Sequence, residues 1–272
     1  MARVFVAGGS GFVGRHLVPL ARERFDTDYT YFTADPIPEP NGTQLDLRDA
    51  DAVTAFVKRT RPDAIIHLGG SDRSADMRAV VVDGAANLVA AANQTGARLV
   101  HLSTDVLFDG TAGPYSESAE PTPIHAYGKA KADAEKLVDA MQNHVIARTS
   151  LVYSATVRDP TAIWLQSSID RGKTVTLFTN QLRCPIEASD LSAALLELAE
   201  HDFVGTINVA GLQEVRRSDF ARKVLKRWDI PTDTVVDGPD ETGRYPLDVR
   251  LDTTLAQSTL QTRLRGLDEV MD

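Results

Sequence analysis

Tyr127 and Lys131 stand four residues apart in the run Tyr127-Gly128-Lys129-Ala130-Lys131. On a helix that spacing puts both side chains on one face, where a phenol and an ammonium can share one substrate. A phenol with a pKa of about 10 is a poor acid or base at neutral pH. A cation about 4 Å away, at an effective dielectric near 20, favours the phenolate by roughly 4 kcal/mol, or about three pKa units before desolvation is subtracted. The pair therefore reads as a proton-exchanging group. Such a pair also arises on solvated helices without a chemical role, so its neighbours decide the reading.

One βα step upstream, His101-Leu102-Ser103-Thr104-Asp105 carries an apolar strand into two hydroxyls. At the carboxyl edge of a parallel sheet, where such folds bind ligands, Ser103 or Thr104 can hydrogen-bond a substrate oxygen while Tyr127 exchanges a proton with it. The plain alternative is a Ser/Thr turn closing a strand.

A second cluster lies in Ala7-Gly8-Gly9-Ser10-Gly11-Phe12-Val13-Gly14, with glycines at positions 8, 11 and 14 between an apolar run and a helix. Glycines let the backbone turn tightly and approach a pyrophosphate, which the free N–H groups and dipole of the helix then hold. A glycine-rich turn can also merely join two elements; its position after the first strand favours binding of a dinucleotide, NAD or NADP. An acid at the end of the second strand would accept from the adenosine ribose. Asp35 is the candidate, but a strand ending sooner would put Thr33 there, and both dinucleotides stay open. Asp46 and Leu47 are placed to bracket adenine, while Asp49 suits the cap of the next helix.

The elements that must position these groups alternate. Strand-like runs fall at 3–7, 28–33, 64–68, 98–103 and 144–149, and amphipathic helices at 12–23, 50–59, 77–94 and 125–141. The order predicts a Rossmann-type, doubly wound parallel α/β sheet with helices on both faces. Beyond residue 149 the reading is a helix at 161–171, a strand at 175–178, a helix at 189–200 and a strand at 206–210. Residues 1–150 are expected to form the NAD(P)-binding domain, its sheet extended by parts of 173–210. Residues 151–172 and 211–272 are expected to form a smaller substrate-binding cap.

Bulk properties agree with an enzyme-sized body. A chain of 272 residues buries about three quarters of its unfolded surface. A formal charge of −9 argues against a nucleic-acid partner. The single cysteine, Cys184, makes no internal disulfide, and the six histidines lack metal-binding spacing. The opening run reads as strand at once and no apolar run has the length of a membrane span, so neither signal peptide nor membrane is expected, and cytoplasmic residence fits.

Together these residues resemble the extended short-chain dehydrogenase/reductases. The run Ser103-Thr104-Asp105-Val106-Leu107-Phe108-Asp109-Gly110 narrows the likeness to the dTDP-4-dehydrorhamnose reductase family. Pro114-Tyr115-Ser116-Glu117, Arg148-Thr149-Ser150 and Arg183-Cys184-Pro185 extend it over nearly the whole chain. The resemblance implies hydride delivery from NAD(P)H to the 4-keto carbon of a nucleotide-linked deoxysugar. Tyr127 would donate the proton, Thr104 would polarise the carbonyl, and Lys131 would bind the nicotinamide ribose and lower the Tyr127 pKa. Gly11, Phe12 and Val13 would meet the pyrophosphate, and Leu68, Gly69, Gly70 and Ser103 would lie beside the cofactor. Asp105, Val106 and Leu151 would border the sugar, while Arg183 and Arg244 would reach the substrate diphosphate.

The sequence departs from the family pattern where sugar is read. Val106 stands where Tyr is usual, Leu151 where Trp is usual, and Tyr245 where an Arg precedes the proline. Losing aromatic walls implies a differently shaped substrate or a weakened sugar site. An epimerase, a dehydratase or another carbonyl reductase is the second reading. A cofactor-binding regulatory subunit, like the beta subunit of methionine adenosyltransferase, is the third. A homodimer is compatible with all three.

Overall fold

The computed structural model describes residues 1–37, 40, 42–70 and 76–272. Along β1 (Arg3–Ala7) the side chains alternate between two cores, Val4 and Val6 on one face, Phe5 and Ala7 on the other. A strand buried on both faces needs no polar alternation, which is why the run is continuously apolar. The same division holds for β4 (Ala64–His67) and β5 (Arg98–Leu102). Between them come α1 (Phe12–Arg22), β2 (Asp26–Tyr31), β3 (Gly42–Gln44), α2 (Ala50–Thr60) and α3 (Gly84–Thr95), and after them α4 (Ala126–Asp139) and β6 (His144–Arg148).

The remaining elements are β7 (Val152–Tyr153), α5 (Pro160–Asp170), β8 (Val175–Phe178), β9 (Leu182–Arg183), β10 (Ile186–Glu187), α6 (Ala188–Glu200) and β11 (Gly205–Asn208). Then follow β12 (Val215–Arg216), α7 (Arg217–Arg227), β13 (Val235–Gly238), α8 (Thr254–Thr259) and α9 (Leu267–Met271). Seven parallel strands form the main sheet in the order β11-β6-β5-β4-β1-β2-β3. The order reverses between β1 and β4, the switch point at which a crevice opens at the carboxyl ends of the strands. On one face α1 packs against α6 through Leu17, Val18, Leu191 and Leu195; on the other, α2 and α3 supply Val53, Phe56 and Leu88.

The Rossmann-type sheet expected from the sequence is present, with four differences. β3 was not foreseen, because Gly-Thr-Gln at an edge carries no apolar signal. β2 stops at Tyr31, two residues short of the expected end. The helix expected over 77–94 opens with a π-turn at Ala79–Asp83 before α3 begins. The strand expected at 175–178 forms but pairs with β13 in a separate two-stranded sheet, whereas β11 is the piece that extends the main sheet. A third core, built from Tyr153, Leu165, Leu177, Phe220 and Val224, lies under that smaller sheet. Among the described residues no helix is long and apolar enough to cross a membrane.

Candidate active site

The loop leaving β1 turns at Gly8, whose φ of +87° lies in the region that favours glycine. A side chain at Gly14 would run into the backbone of Gly9, so this spacing lets α1 press onto the turn. Gly11 is the N-cap of α1 and supplies no side chain to cap it. The positive end of the helix is therefore left for an anion. It opens into a cleft of about 650 Å³ lined by Gly8, Ser10, Gly11, Phe12, Val13, Gly14, Asp46, Leu47, Leu68, Gly69 and Gly70, all eleven expected from the sequence to touch the cofactor. An uncapped helix end over a glycine turn, opening into a cleft of this volume, fits a dinucleotide.

The cleft is also lined by Tyr31, Phe32 and Arg48. Asp35, the sequence candidate for the ribose, is not among its walls: Oδ2 accepts from Tyr29 Oη at 2.7 Å and Oδ1 from the Ile37 N–H at 3.0 Å. Thr33 is exposed and does not line the cleft either. The early end of β2 puts Tyr31 and Phe32 at the position assigned to an acid or a threonine. Asp46 takes a two-pronged bond from Arg48, at 2.9 Å from Nε and 2.7 Å from Nη2, and these bonds hold its carboxyl below the usual carboxylate range. Arg48 also meets Asp76 at 2.8 Å and stacks on the Phe32 ring. Asp49 caps α2 as expected, accepting from the Ala52 N–H.

α4 begins at the N-cap His125, whose Nδ1 accepts from the Gly128 N–H at 3.0 Å. A side chain at Gly128 would overlap the Val106 carbonyl, so the start of α4 rests on the turn that follows β5. That contact carries Tyr127 to the same end of the sheet as Thr104. Tyr127 is half-buried and packs against the cluster of Val81, Ala85, Ala130 and Ala134. Lys131, one helical turn on, is 3% exposed; its Nζ donates to the Leu102 carbonyl at 2.9 Å and, more weakly at 3.5 Å, to that of Gly69. Burial pushes the Lys131 ammonium down to about 8. An ammonium has three donors, so one remains for a ligand.

Thr104 Oγ1 accepts from the Val106 N–H at 3.4 Å, which leaves its hydroxyl proton to donate. Ser103 is buried and its hydroxyl has no partner. A buried orphan hydroxyl is the kind of group that calls for a partner, and Ser103 directly precedes Thr104. Val106 and Leu151 are half-buried, Leu151 against the third core.

The arginines assigned to a diphosphate lie elsewhere. Arg183 is 3% exposed: Nη1 donates to the Leu182 and Leu247 carbonyls, Nη2 to that of Pro246, and Nε faces Asp105 at 3.7 Å. A guanidinium so engaged inside the protein has no fork left for a diphosphate. Asp105 is buried with it and accepts from Ser150 Oγ at 2.6 Å; burial pushes its carboxyl up while Arg183 pulls it back. Asp105 and Arg183 therefore brace the turn bearing Thr104 from beneath. Arg244 is exposed on a surface loop.

Three further side chains, which the sequence did not single out, are buried or half-buried near these groups. His67 of β4 and His101 of β5 are in register on neighbouring strands and share a 2.9 Å bond between their Nδ1 atoms. Arg217, half-buried against Phe178 and bonded to Gln181, is likewise close enough to feel Arg183 and Asp105. No local pattern marks these residues, because each matters through a partner far away in the chain.

A switch-point cleft over an uncapped helix, with a buried lysine and a tyrosine on one helix beside a threonine turn, defines an NAD(P)-dependent oxidoreductase of the short-chain dehydrogenase/reductase type. The family model described as the RmlD substrate binding domain matches residues 2–266, and the chain belongs to that family. It is 31% identical over 237 residues to a probable low-salt glycan biosynthesis reductase of Haloferax volcanii, covering 82% of this chain and 79% of that protein. It is 31% identical over 234 residues to a dTDP-4-keto-6-deoxy-D-glucose reductase of Streptomyces niveus, covering 82% and 78%. A hypothetical dTDP-4-dehydrorhamnose reductase from Sulfolobus tokodaii superposes with a TM-score of 0.84 at 29% identity, over 98% of this chain and 97% of that one.

Proposed function

We propose that the protein reduces the 4-keto group of a nucleotide-linked deoxysugar, with Tyr127 as proton donor. The observation that carries this reading is the buried Lys131 ammonium, one helical turn from Tyr127 and held by the carbonyls of Leu102 and of Gly69, a residue of the cleft wall. When bound, the reduced nicotinamide supplies the hydride. Thr104 donates its hydroxyl proton in a hydrogen bond to the ketone oxygen and orients it. Tyr127 gives that oxygen its proton as the alcohol forms, and Lys131 stabilises the phenolate left behind.

Ser10, Gly11, Phe12 and Val13 hold the pyrophosphate, and Asp46 and Leu47 flank the adenine. Residues 151–172 and 211–272 act as the cap that encloses the sugar. Val106 and Leu151 give the sugar pocket aliphatic walls, so the preferred sugar is one that does not need an aromatic platform. Arg183 serves the site by bracing Asp105, and Arg217 is the better partner for an anionic group of the substrate.

The test is a matrix of NADH and NADPH against several 4-keto nucleotide sugars, followed at the absorbance of the reduced nicotinamide. Consumption that requires the sugar ketone, and that vanishes in Tyr127→Phe while cofactor binding persists, supports the reading. A flat response across the panel overturns it.

A further inference from the structure

His67 at the end of β4 and His101 in β5 are both fully buried. Their rings lie 4.8 Å apart, and neither Nε2 has a partner. A bond between two Nδ1 atoms needs one nitrogen with a hydrogen and one without. The two neutral rings must therefore be unlike tautomers, one protonated on Nδ1 and its neighbour on Nε2.

The pair sits next to the lysine's anchors. Leu102 follows His101 directly, Gly69 comes two residues after His67, and these are the two carbonyls that accept from Lys131 Nζ. A side chain at Gly69 would come within 2.8 Å of His67 Nε2, so the ring closes the floor of the cleft at Gly69. We propose that the His67–His101 pair is the positioning element for Lys131, tying the carboxyl ends of β4 and β5 at the spacing at which both carbonyls receive the ammonium. The inference rests on the reading of Lys131 given above.

Charge supports the geometry. The Lys131 ammonium is the charge that bears on both rings, and burial with that cation drives His67 down to about 3 and His101 well below its ordinary value. On α4 the further groups are Tyr127 and Glu135; Glu135 favours the lysine's charge and is itself paired with Arg148 of β6 at 2.8 Å. Two neutral rings satisfy each other without adding a second cation beside the first. A carboxylate in their place would bind the ammonium directly and hold it away from a ligand.

The experiment measures NADPH and NADH binding by fluorescence from pH 6 to 10 in the wild type, His101→Leu, His101→Asn and Lys131→Met, with folding checked by circular dichroism. The wild type should lose affinity through a limb near pH 8 as Lys131 gives up its proton. His101→Leu, which breaks the bond, should bind about tenfold more weakly and move the limb upward as the lysine loosens toward water. His101→Asn, which keeps a bonding group at the Nδ1 position, should restore both. An unmoved limb and affinity in folded His101→Leu, or equal failure of the Asn variant, overturns the inference alone. Wild-type binding by Lys131→Met overturns the lysine reading beneath it. Nitrogen NMR of the wild type gives an independent check: two rings of opposite tautomer, both neutral at pH 5, are expected, and two rings each protonating near 6.5 overturn the pairing.

Discussion

One oxygen of Asp105 accepts from Ser150 Oγ at 2.6 Å and faces Arg183 Nε at 3.7 Å, with both charged side chains sealed from water. This pair underlies the turn that presents Thr104. Removing one partner of a buried pair leaves the other charge uncompensated, at a cost of about 3–5 kcal/mol. Arg183→Met should accordingly lower the unfolding free energy from urea titration by that amount, and Arg183→Lys should not rescue it, because one nitrogen cannot reach the three carbonyls and Asp105 that the separate nitrogens of the planar guanidinium reach. A direct role at a substrate phosphate would instead raise KM with little loss of stability.

Lys131 should be a residue whose removal strengthens the fold. Its folded pKa, pushed down to about 8, lies below the ordinary 10.5 of an unfolded lysine. Between those values the unfolded chain holds the extra proton, so stability rises with pH through that window, and the full cost of burying the charge is present below pH 8. Lys131→Met should raise the stability of the cofactor-free protein at pH 7 by about 3 kcal/mol while abolishing turnover. Equal or lower stability in a folded variant would contradict the burial argument.

The histidine pair has the same sign at lower pH. His67 is neutral in the fold down to about 3, while the unfolded ring protonates near 6.5. The unfolded state binds more protons throughout that interval, so the His67 contribution is complete above pH 6.5 and falls as the pH drops toward 3, by about 1.4 kcal/mol per pH unit, and His101, also pushed down by burial, acts in the same direction. Denaturant midpoints between pH 7 and 4 measure this slope, and His67→Asn should flatten part of it.

Cofactor choice should be nearly indifferent to Asp35. Its carboxylate is tied to Tyr29 and to the Ile37 amide, outside the cleft. Arg48 is already held by Asp46 and Asp76. With neither a free acid nor a free cation among the described residues of the cleft wall, NADH and NADPH should bind within about tenfold of each other, a difference of about 1.4 kcal/mol. Asp35→Ala should leave their ratio unchanged, whereas Asp46→Ala should weaken both. Isothermal titration with the two dinucleotides decides the matter; a strong shift of the ratio in Asp35→Ala would show the acid at the ribose after all.

The parts of this site that were readable in the sequence share one property: they are local. The Gly8, Gly11 and Gly14 spacing, the strands apolar on both faces and the Tyr127–Lys131 turn each declare themselves within a short window. Asp35 lies off the cleft because β2 already ends at Tyr31 and the chain beyond it brings Asp35 back onto Tyr29, and strand ends are weakly encoded. Arg183 looked like a free cation because its burial depends on carbonyls more than sixty residues away at 246 and 247. The His67–His101 bond depends on the register of β4 against β5, which no spacing along the chain reveals.

The most direct measurement of the central claim uses NADPH carrying deuterium at the transferable position of the nicotinamide, mixed with a dTDP-linked 4-keto-6-deoxyhexose and the wild-type protein. The account predicts one deuterium bound to C4 of the product sugar and one oxidised nicotinamide per sugar reduced, with neither formed by Tyr127→Phe. A sugar altered with no net oxidation of the cofactor, or deuterium retained on the nicotinamide, would contradict it.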